Sequence, residues 1–226
     1  MDTAAYHEYH NPRPYPAMPA EVQVLTHPLV QRDLSVLRDR ATSPESFRHA
    51  TRRIARALAL EVLKDVRVRE VEIKTPMEST IGVEIAEPVV LVPILRAGLG
   101  LVDGFLDMLP EAKVCHLGLV RDETTLQPTC YLDKLDALTG EERVYVIDPM
   151  LATGGSALAA LDKVIARGLY KPPSFACVLS APEGIRKVHE AHPDVRVLTA
   201  AIDRCCDARG WIRPGLGDAG DRLFDC

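Results

Sequence analysis

The chain has 226 residues, 47% of them hydrophobic and 26% charged, with a formal net charge of −5; that composition suits one globular domain with a sizeable core. Lys and Arg are scattered among acids and offer no basic face, so nucleic acid and anionic membrane are not expected partners. The longest apolar stretches, such as 88–95, fall far short of the roughly 20 residues that span a bilayer. No charged-then-apolar leader opens the chain, so a cytoplasmic location is expected. The six cysteines form no C-x-x-C pair and the histidines lack zinc-finger spacing, so reduced thiols and no protein-held metal are expected.

In chain order, residues 1–23 carry Pro12, Pro14, Pro16 and Pro19 with no apolar period, and they predict a flexible arm before a single domain over 24–226. From Pro28 to about Lys64 two helical patterns follow. The second opens at Ser43-Pro44-Glu45 and sets Phe47, Ile54, Leu58 and Val62 on one side. Beyond Glu87, β-rich runs at 89–95, 114–120, 144–147, 175–179 and 195–200 alternate with helical patterns at 99–108, 156–167 and 182–191. The predicted fold class is α/β, a mostly parallel twisted sheet flanked by helices. Ligands of such sheets lie outside the carboxyl ends of the strands, so the residues just after each strand carry the functional reading.

The strongest signal is Val144-Tyr145-Val146-Ile147-Asp148-Pro149-Met150-Leu151-Ala152-Thr153-Gly154-Gly155-Ser156, an apolar strand, an acid, and a Thr-Gly-Gly-Ser turn into an Ala-rich helix. Two glycines let backbone N–H groups converge on a phosphate, the hydroxyls of Thr153 and Ser156 add donors, and the helix N-terminus adds favourable partial charge. No Lys follows the glycines, which excludes the nucleoside-triphosphate P-loop. The bland alternative is a strand-to-helix turn with Ser156 as N-cap.

Three other segments are chemically suggestive. Pro93-Ile94-Leu95-Arg96-Ala97-Gly98-Leu99-Gly100 follows an apolar strand and pairs a cation, Arg96, with small residues, which suits a diphosphate; Gly98 would permit unusual backbone angles there. Arg121-Asp122-Glu123-Thr124-Thr125-Leu126-Gln127-Pro128 is polar, follows a strand and precedes a β-like run at Tyr131, as a mobile hairpin would. In Trp211-Ile212-Arg213-Pro214-Gly215-Leu216-Gly217-Asp218-Ala219-Gly220-Asp221, three glycines satisfy G-x-G-x-x-G. The βαβ unit that a dinucleotide fingerprint needs is absent, because only Arg222-Leu223-Phe224-Asp225-Cys226 follow.

These segments, in this order, resemble the type I phosphoribosyltransferases and, among them, the uracil phosphoribosyltransferase family. The resemblance runs from about Val24 to Phe224 and includes Ala181-Pro182-Glu183-Gly184 and Ala191-His192-Pro193-Asp194-Val195. It implies a C-terminal base-binding hood, a β-hairpin arm, and the conversion of uracil and phosphoribosyl pyrophosphate to UMP and diphosphate in pyrimidine salvage. By the same resemblance Asp148, Pro149, Met150, Leu151, Ala152, Thr153, Gly154, Gly155 and Ser156 would hold the phosphoribosyl group, and Arg96 and Arg121 the diphosphate. Backbone groups around Ile212, Gly217, Asp218 and Ala219 would read uracil, with Asp218 also approaching the ribosyl donor; Arg121 and Asp218 would act in catalysis. Two departures stand out: Pro149 replaces the second loop acid of the wider family, and Val120 stands where many relatives have Tyr. Magnesium carried mainly on phosphoribosyl pyrophosphate, a possible GTP activator and a homo-oligomer, dimer or tetramer, are also implied. The rival readings are an RNA-binding pyrimidine sensor, disfavoured by the acidic balance, and a phosphoribosyltransferase for another base.

Overall fold

The computed structural model describes residues 22–121 and 128–226. Residues 1–21 of the expected arm, and Asp122, Glu123, Thr124, Thr125, Leu126 and Gln127 of the expected hairpin, lie outside the described residues. Strand β1 (Val22–Val24) runs parallel to the last long strand through Val22↔Val197, so the sheet edge begins inside the stretch expected to be an arm. Helices α1 (Pro28–Arg38) and α2 (Pro44–Val62) follow. Ser43 caps α2 as its sequence suggests, accepting from the N–H of Ser46 at 3.3 Å, with Pro44 in the first turn. The face expected from periodicity, Phe47, Ile54, Leu58 and Val62, is fully buried.

A hairpin not expected from the sequence follows α2. Strands β2 (Val68–Lys74) and β3 (Ser79–Ile85) pair with each other alone as an antiparallel hairpin, turned by the Thr75 hydroxyl, which accepts from the N–H groups of Met77 and Glu78. Its apolar side chains face outward: Met77 is 91%, Val83 67% and Ile81 61% exposed.

The main sheet then assembles from β4 (Val89–Leu95), helix α3 (Leu99–Leu106), β5 (Lys113–Val114), β6 (Leu117–Arg121), β7 (Pro128–Asp133), β8 (Arg143–Ile147), β9 (Met150–Leu151), α4 (Gly155–Ile165), β10 (Ser174–Ser180), α5 (Pro182–Ala191) and β11 (Arg196–Ile202). Its order is β1-β11-β10-β8-β4-β6-β7, with β5 beside β4 and β9 beside β10. All pairs are parallel except β6 with β7. The run expected as one strand over 114–120 is two, because β5 and β6 meet β4 at different levels. The last residues form β12 (Cys205–Cys206), β13 (Ile212–Arg213) and α6 (Ala219–Phe224), a small cap beyond the sheet.

The strands alternate between two buried layers. Leu91, Tyr145, Ile147, Ala176, Val178 and Leu198 pack with α1, α2 and α3, while Val90, Val92, Val144, Val146, Phe175, Cys177 and Val197 pack with α4 and α5. Helices cover both faces, so the central strands are apolar on both sides, as a parallel sheet requires. Polar chemistry is left to the carboxyl ends of β4, β8 and β10.

Candidate active site

Asp148 and Pro149 sit just past β8. The carbonyl of Pro149 accepts from the N–H groups of Val178 and Leu179, both at 3.0 Å, and β9 then pairs with β10. The chain is thereby pinned to the sheet before it turns. Gly154 makes the turn with φ +80°, in the left-handed region, and an added Cβ would also crowd the Gly184 carbonyl at 3.0 Å. Helix α4 starts at Gly155 with no side-chain cap, so Ser156 is not the N-cap and the first-turn N–H groups stay unclaimed by a side chain. Asp148 and residues 150–157, together with Gly210 from the cap, line an open cavity. A helix N-terminus with free amides, two hydroxyls and glycine-thin walls makes that cavity an anion cradle.

The carboxyl of Asp148 is pushed up from 3.8 to about 7, chiefly by burial, with the negative charge of Asp218 adding to it. It is therefore only partly ionised near neutrality. Two thiols are similarly displaced: burial raises Cys177 to about 12 and Cys206 to about 11. Neither is a thiolate nucleophile at neutral pH.

Beyond β4, the peptide from Leu95 to Arg96 is cis and the chain turns back at once into α3. Gly98 has an ordinary φ of −57°, so the expectation of unusual angles there is corrected. Glycine is needed for closeness: a Cβ would stand 2.6 Å from the Ile94 backbone and 2.7 Å from the Ile147 carbonyl. That contact presses the Arg96 turn against β8. The exposed Arg96 guanidinium donates to Asp221 Oδ1 at 3.3 Å and to Cys226 Sγ at 3.2 Å, both from the cap. A Cβ on Gly220 would lie 3.2 Å from Asp218 Oδ1 and 4.0 Å from Arg96 Nη2, so Asp218 and Arg96 flank the same spot.

Long side chains tie the cap to the helices. Asp203, just past β11, accepts both guanidinium nitrogens of Arg38, at 2.6 and 2.9 Å, and the N–H of Gly215 at 2.8 Å. Arg222 donates to the carbonyls of Leu37, Asp39 and Leu216 and lies over the Phe47 ring. Arg48 donates to the Leu223 carbonyl at 2.9 Å. Ile212 and Ala219 are buried within the resulting layer, whereas Gly217 and Asp218 are exposed; Asp218 caps α6 by accepting from the N–H of Asp221 at 3.0 Å.

With that geometry in place, the sequence model of the family described as Uracil phosphoribosyltransferase matches residues 24–226. The chain belongs to this family. It is 50% identical over 203 residues to the uracil phosphoribosyltransferase of Salinibacter ruber, covering 90% of this chain and 96% of that one. It is 49% identical over 205 residues to that of Streptococcus pneumoniae, covering 90% and 98%. A solved structure of the AQ2163 protein from Aquifex aeolicus superposes with a TM-score of 0.84 at 36% identity, covering 90% of this chain and 97% of that one. The adenine phosphoribosyltransferase of Trypanosoma brucei, at TM-score 0.56 and 15% identity over 85% of this chain and 90% of that one, shares the fold. The resemblance drawn from the four motifs therefore holds for uracil phosphoribosyltransferases, and the α/β fold expected with it is the one observed.

Of the residues expected in a uracil phosphoribosyltransferase site, the structure gathers Asp148, 150–156, Arg96 and Asp218 at one end of the sheet, whereas Pro149 does not line the cavity and its carbonyl is bonded to β10. Arg121 ends β6 at that same carboxyl edge. Ile212 is set in β13, opposite Cys206. Sequence reasoning missed Asp203 and Gly210. Asp203 follows an apolar strand, the position where the strand rule directs attention; Gly210 has no local signal, because its place on the cradle wall depends on how the cap folds back.

Proposed function

We propose that this enzyme joins N1 of uracil to the anomeric carbon of phosphoribosyl pyrophosphate, giving UMP and diphosphate in pyrimidine salvage. The observation that carries this reading is the convergence of an anion cradle, an arginine-bearing turn and a C-terminal hood at one sheet end in a chain of this family. The cradle amides and the hydroxyls of Thr153 and Ser156 hold the 5-phosphate, and Asp148 accepts from the ribose hydroxyls. Arg96 and Arg121 neutralise the departing diphosphate, and the Arg121 hairpin excludes water from a ribose rich in positive charge. Asp218 approaches the ribosyl donor. No protein nucleophile is required, because positioning both reactants in line supplies the rate.

Among the described residues no group of three or more His, Cys, Asp or Glu could hold a metal. The exposed carboxylates of Asp218 and Asp221 beside Arg96 suit a hydrated magnesium ion that arrives on the substrate phosphates. Bound there, magnesium would offset charge on the leaving diphosphate. Residues from Val22, where strand β1 begins, to 226 form the catalytic domain in this reading. It extends to a cytoplasmic homo-oligomer, dimer or tetramer, for which the outward apolar residues of β2 and β3 speak. Activation by GTP belongs to it on family resemblance alone.

The test is diphosphate release from phosphoribosyl pyrophosphate with each free base in turn. Uracil should react and purines should not. Cytosine reverses the donor and acceptor pattern at C4 and N3, so a backbone-built base site leaves groups unpaired at a cost of about 1–3 kcal/mol each. Equal turnover of uracil and cytosine would remove the base assignment.

A further inference from the structure

The cradle is short of positive charge. Its wall is made by Asp148, residues 150–157 and Gly210, and none of these is a cation. A sugar phosphate carries roughly −1.5 to −2 at pH 7. A helix N-terminus supplies only about half a positive charge, and Asp148 adds negative charge once ionised.

Gly210 is the one wall residue from outside the loop, and it belongs to the turn joining β12 to β13. That turn is tightly built. The Asp207 carboxylate accepts from the N–H groups of Arg209 at 2.9 Å and Trp211 at 3.0 Å, and from Arg213 Nε at 2.9 Å. The Gly210 N–H donates to the Asp207 carbonyl at 2.8 Å. From the other side, Glu183 at the start of α5 accepts from the N–H of Cys206 at 3.0 Å, while the next residue, Gly184, packs against the Leu151 and Ala152 carbonyls. One helix start thus fixes both the phosphate loop and the hairpin whose tip overhangs it.

Arg209 is the residue before Gly210, about 3.8 Å away between Cα atoms. It is exposed, and its side chain enters no ion pair among the described residues. We infer that Arg209 reaches over Gly210 to the 5-phosphate and is a further substrate-binding residue, making the hood a wall of the phosphate site as well as of the base site. A planar guanidinium suits this task, because its fork pairs with two phosphate oxygens. Lys187 is the competing cation: its stem lies 3.3 Å from the place of a Gly154 Cβ.

This inference rests on the cradle assignment above, so the experiment separates the two. UMP and uridine affinities are measured by calorimetry for the wild type, Arg209→Ala and Lys187→Ala. The wild type should prefer UMP to uridine, and Arg209→Ala should weaken UMP by roughly tenfold or more while leaving uridine unchanged. Unchanged UMP affinity in Arg209→Ala overturns the inference, as does equal weakening of UMP and uridine, which would mark a structural role. A loss of UMP affinity confined to Lys187→Ala also overturns it. A wild type indifferent to the phosphate would sink the cradle assignment, and this inference with it.

Discussion

The cradle and the hood meet at one end of the sheet but are held together on opposite terms. The cradle is local: one strand end, one glycine turn and one helix start, with backbone groups as its tools. The hood depends on side chains that reach across the chain, Arg38 to Asp203 over 165 residues and Arg222 to the Leu37 carbonyl over 185. In the proposed reading, phosphate binding within the loop therefore depends chiefly on backbone shape, with side chains such as Thr153, Ser156 and Arg209 adding to it. Base binding in that reading inherits every weakness of one ion pair and a few long-range arginine-to-carbonyl bonds.

The largest effect should come from breaking the cradle alone. Gly155 has nothing within 4 Å of an added Cβ, so Gly155→Val should fold, yet its side chain would fill the anion's place. Affinity for phosphoribosyl pyrophosphate is expected to fall at least about 100-fold, comparable to losing an oxyanion donor. Calorimetry finding wild-type affinity in the folded variant would refute the cradle.

Breaking the hood alone should register in stability first. Asp203→Ala strands the Arg38 guanidinium and the Gly215 N–H, and removing one partner of a buried pair costs about 3 kcal/mol. A fall in Tm of roughly 6–12 °C, with the KM for uracil raised more than that for phosphoribosyl pyrophosphate, is expected in thermal melts and steady-state kinetics. An unchanged Tm would show that the hood is held by other contacts.

Arg121 sharpens the comparison from outside both units. If its role appears only when the hairpin closes on the diphosphate, Arg121→Ala should lower kcat/KM by roughly 100-fold, about 2.7 kcal/mol, without changing Tm. Unaltered kinetics would leave that loop without a catalytic task.

The smallest effect lies where the two units touch electrostatically. Asp148 has a folded pKa of about 7 against an ordinary 3.8. Its contribution to stability is therefore complete below about 3.8 and is lost as pH rises through about 7. A carboxyl that must ionise to accept ribose hydroxyls should release a fraction of a proton on binding UMP at pH 6, and none at pH 9. Calorimetry in buffers of different ionisation enthalpy measures this, and Asp148→Asn should remove that fraction while leaving the protons that the UMP phosphate itself releases near pH 6.

Much of this was legible in the sequence, for identifiable reasons. The cradle was readable because its chemistry is contiguous: Asp148 to Ser156 spell strand end, turn and helix start in one phrase. The helix face of Phe47, Ile54, Leu58 and Val62 was readable because burial follows a simple period. The β2–β3 hairpin is not evident from a simple period although the turn at Thr75-Pro76 carries a signal; Ile85 at its base packs against the core, whereas Met77, Ile81 and Val83 are exposed and cover nothing among the described residues. At Gly98 the sequence shows a glycine but not whether angle or proximity demands it, and proximity does. Asp203, Arg38 and Gly210 belong to tertiary closure, which no local pattern encodes.

The cross-chain ties of the hood also set an order of events during synthesis. Ribosomes add about 5–20 residues per second, so Asp203 emerges roughly ten seconds or more after Arg38. The phosphate loop and the strands that clamp it are complete by residue 180, whereas the last hood tie needs Arg222. The loop's own residues are therefore made well before Gly210, which completes the cavity wall, and before the hood that would recognise a base. Selectivity is the final property to be encoded: the residues that would distinguish one base from another are the last to leave the ribosome.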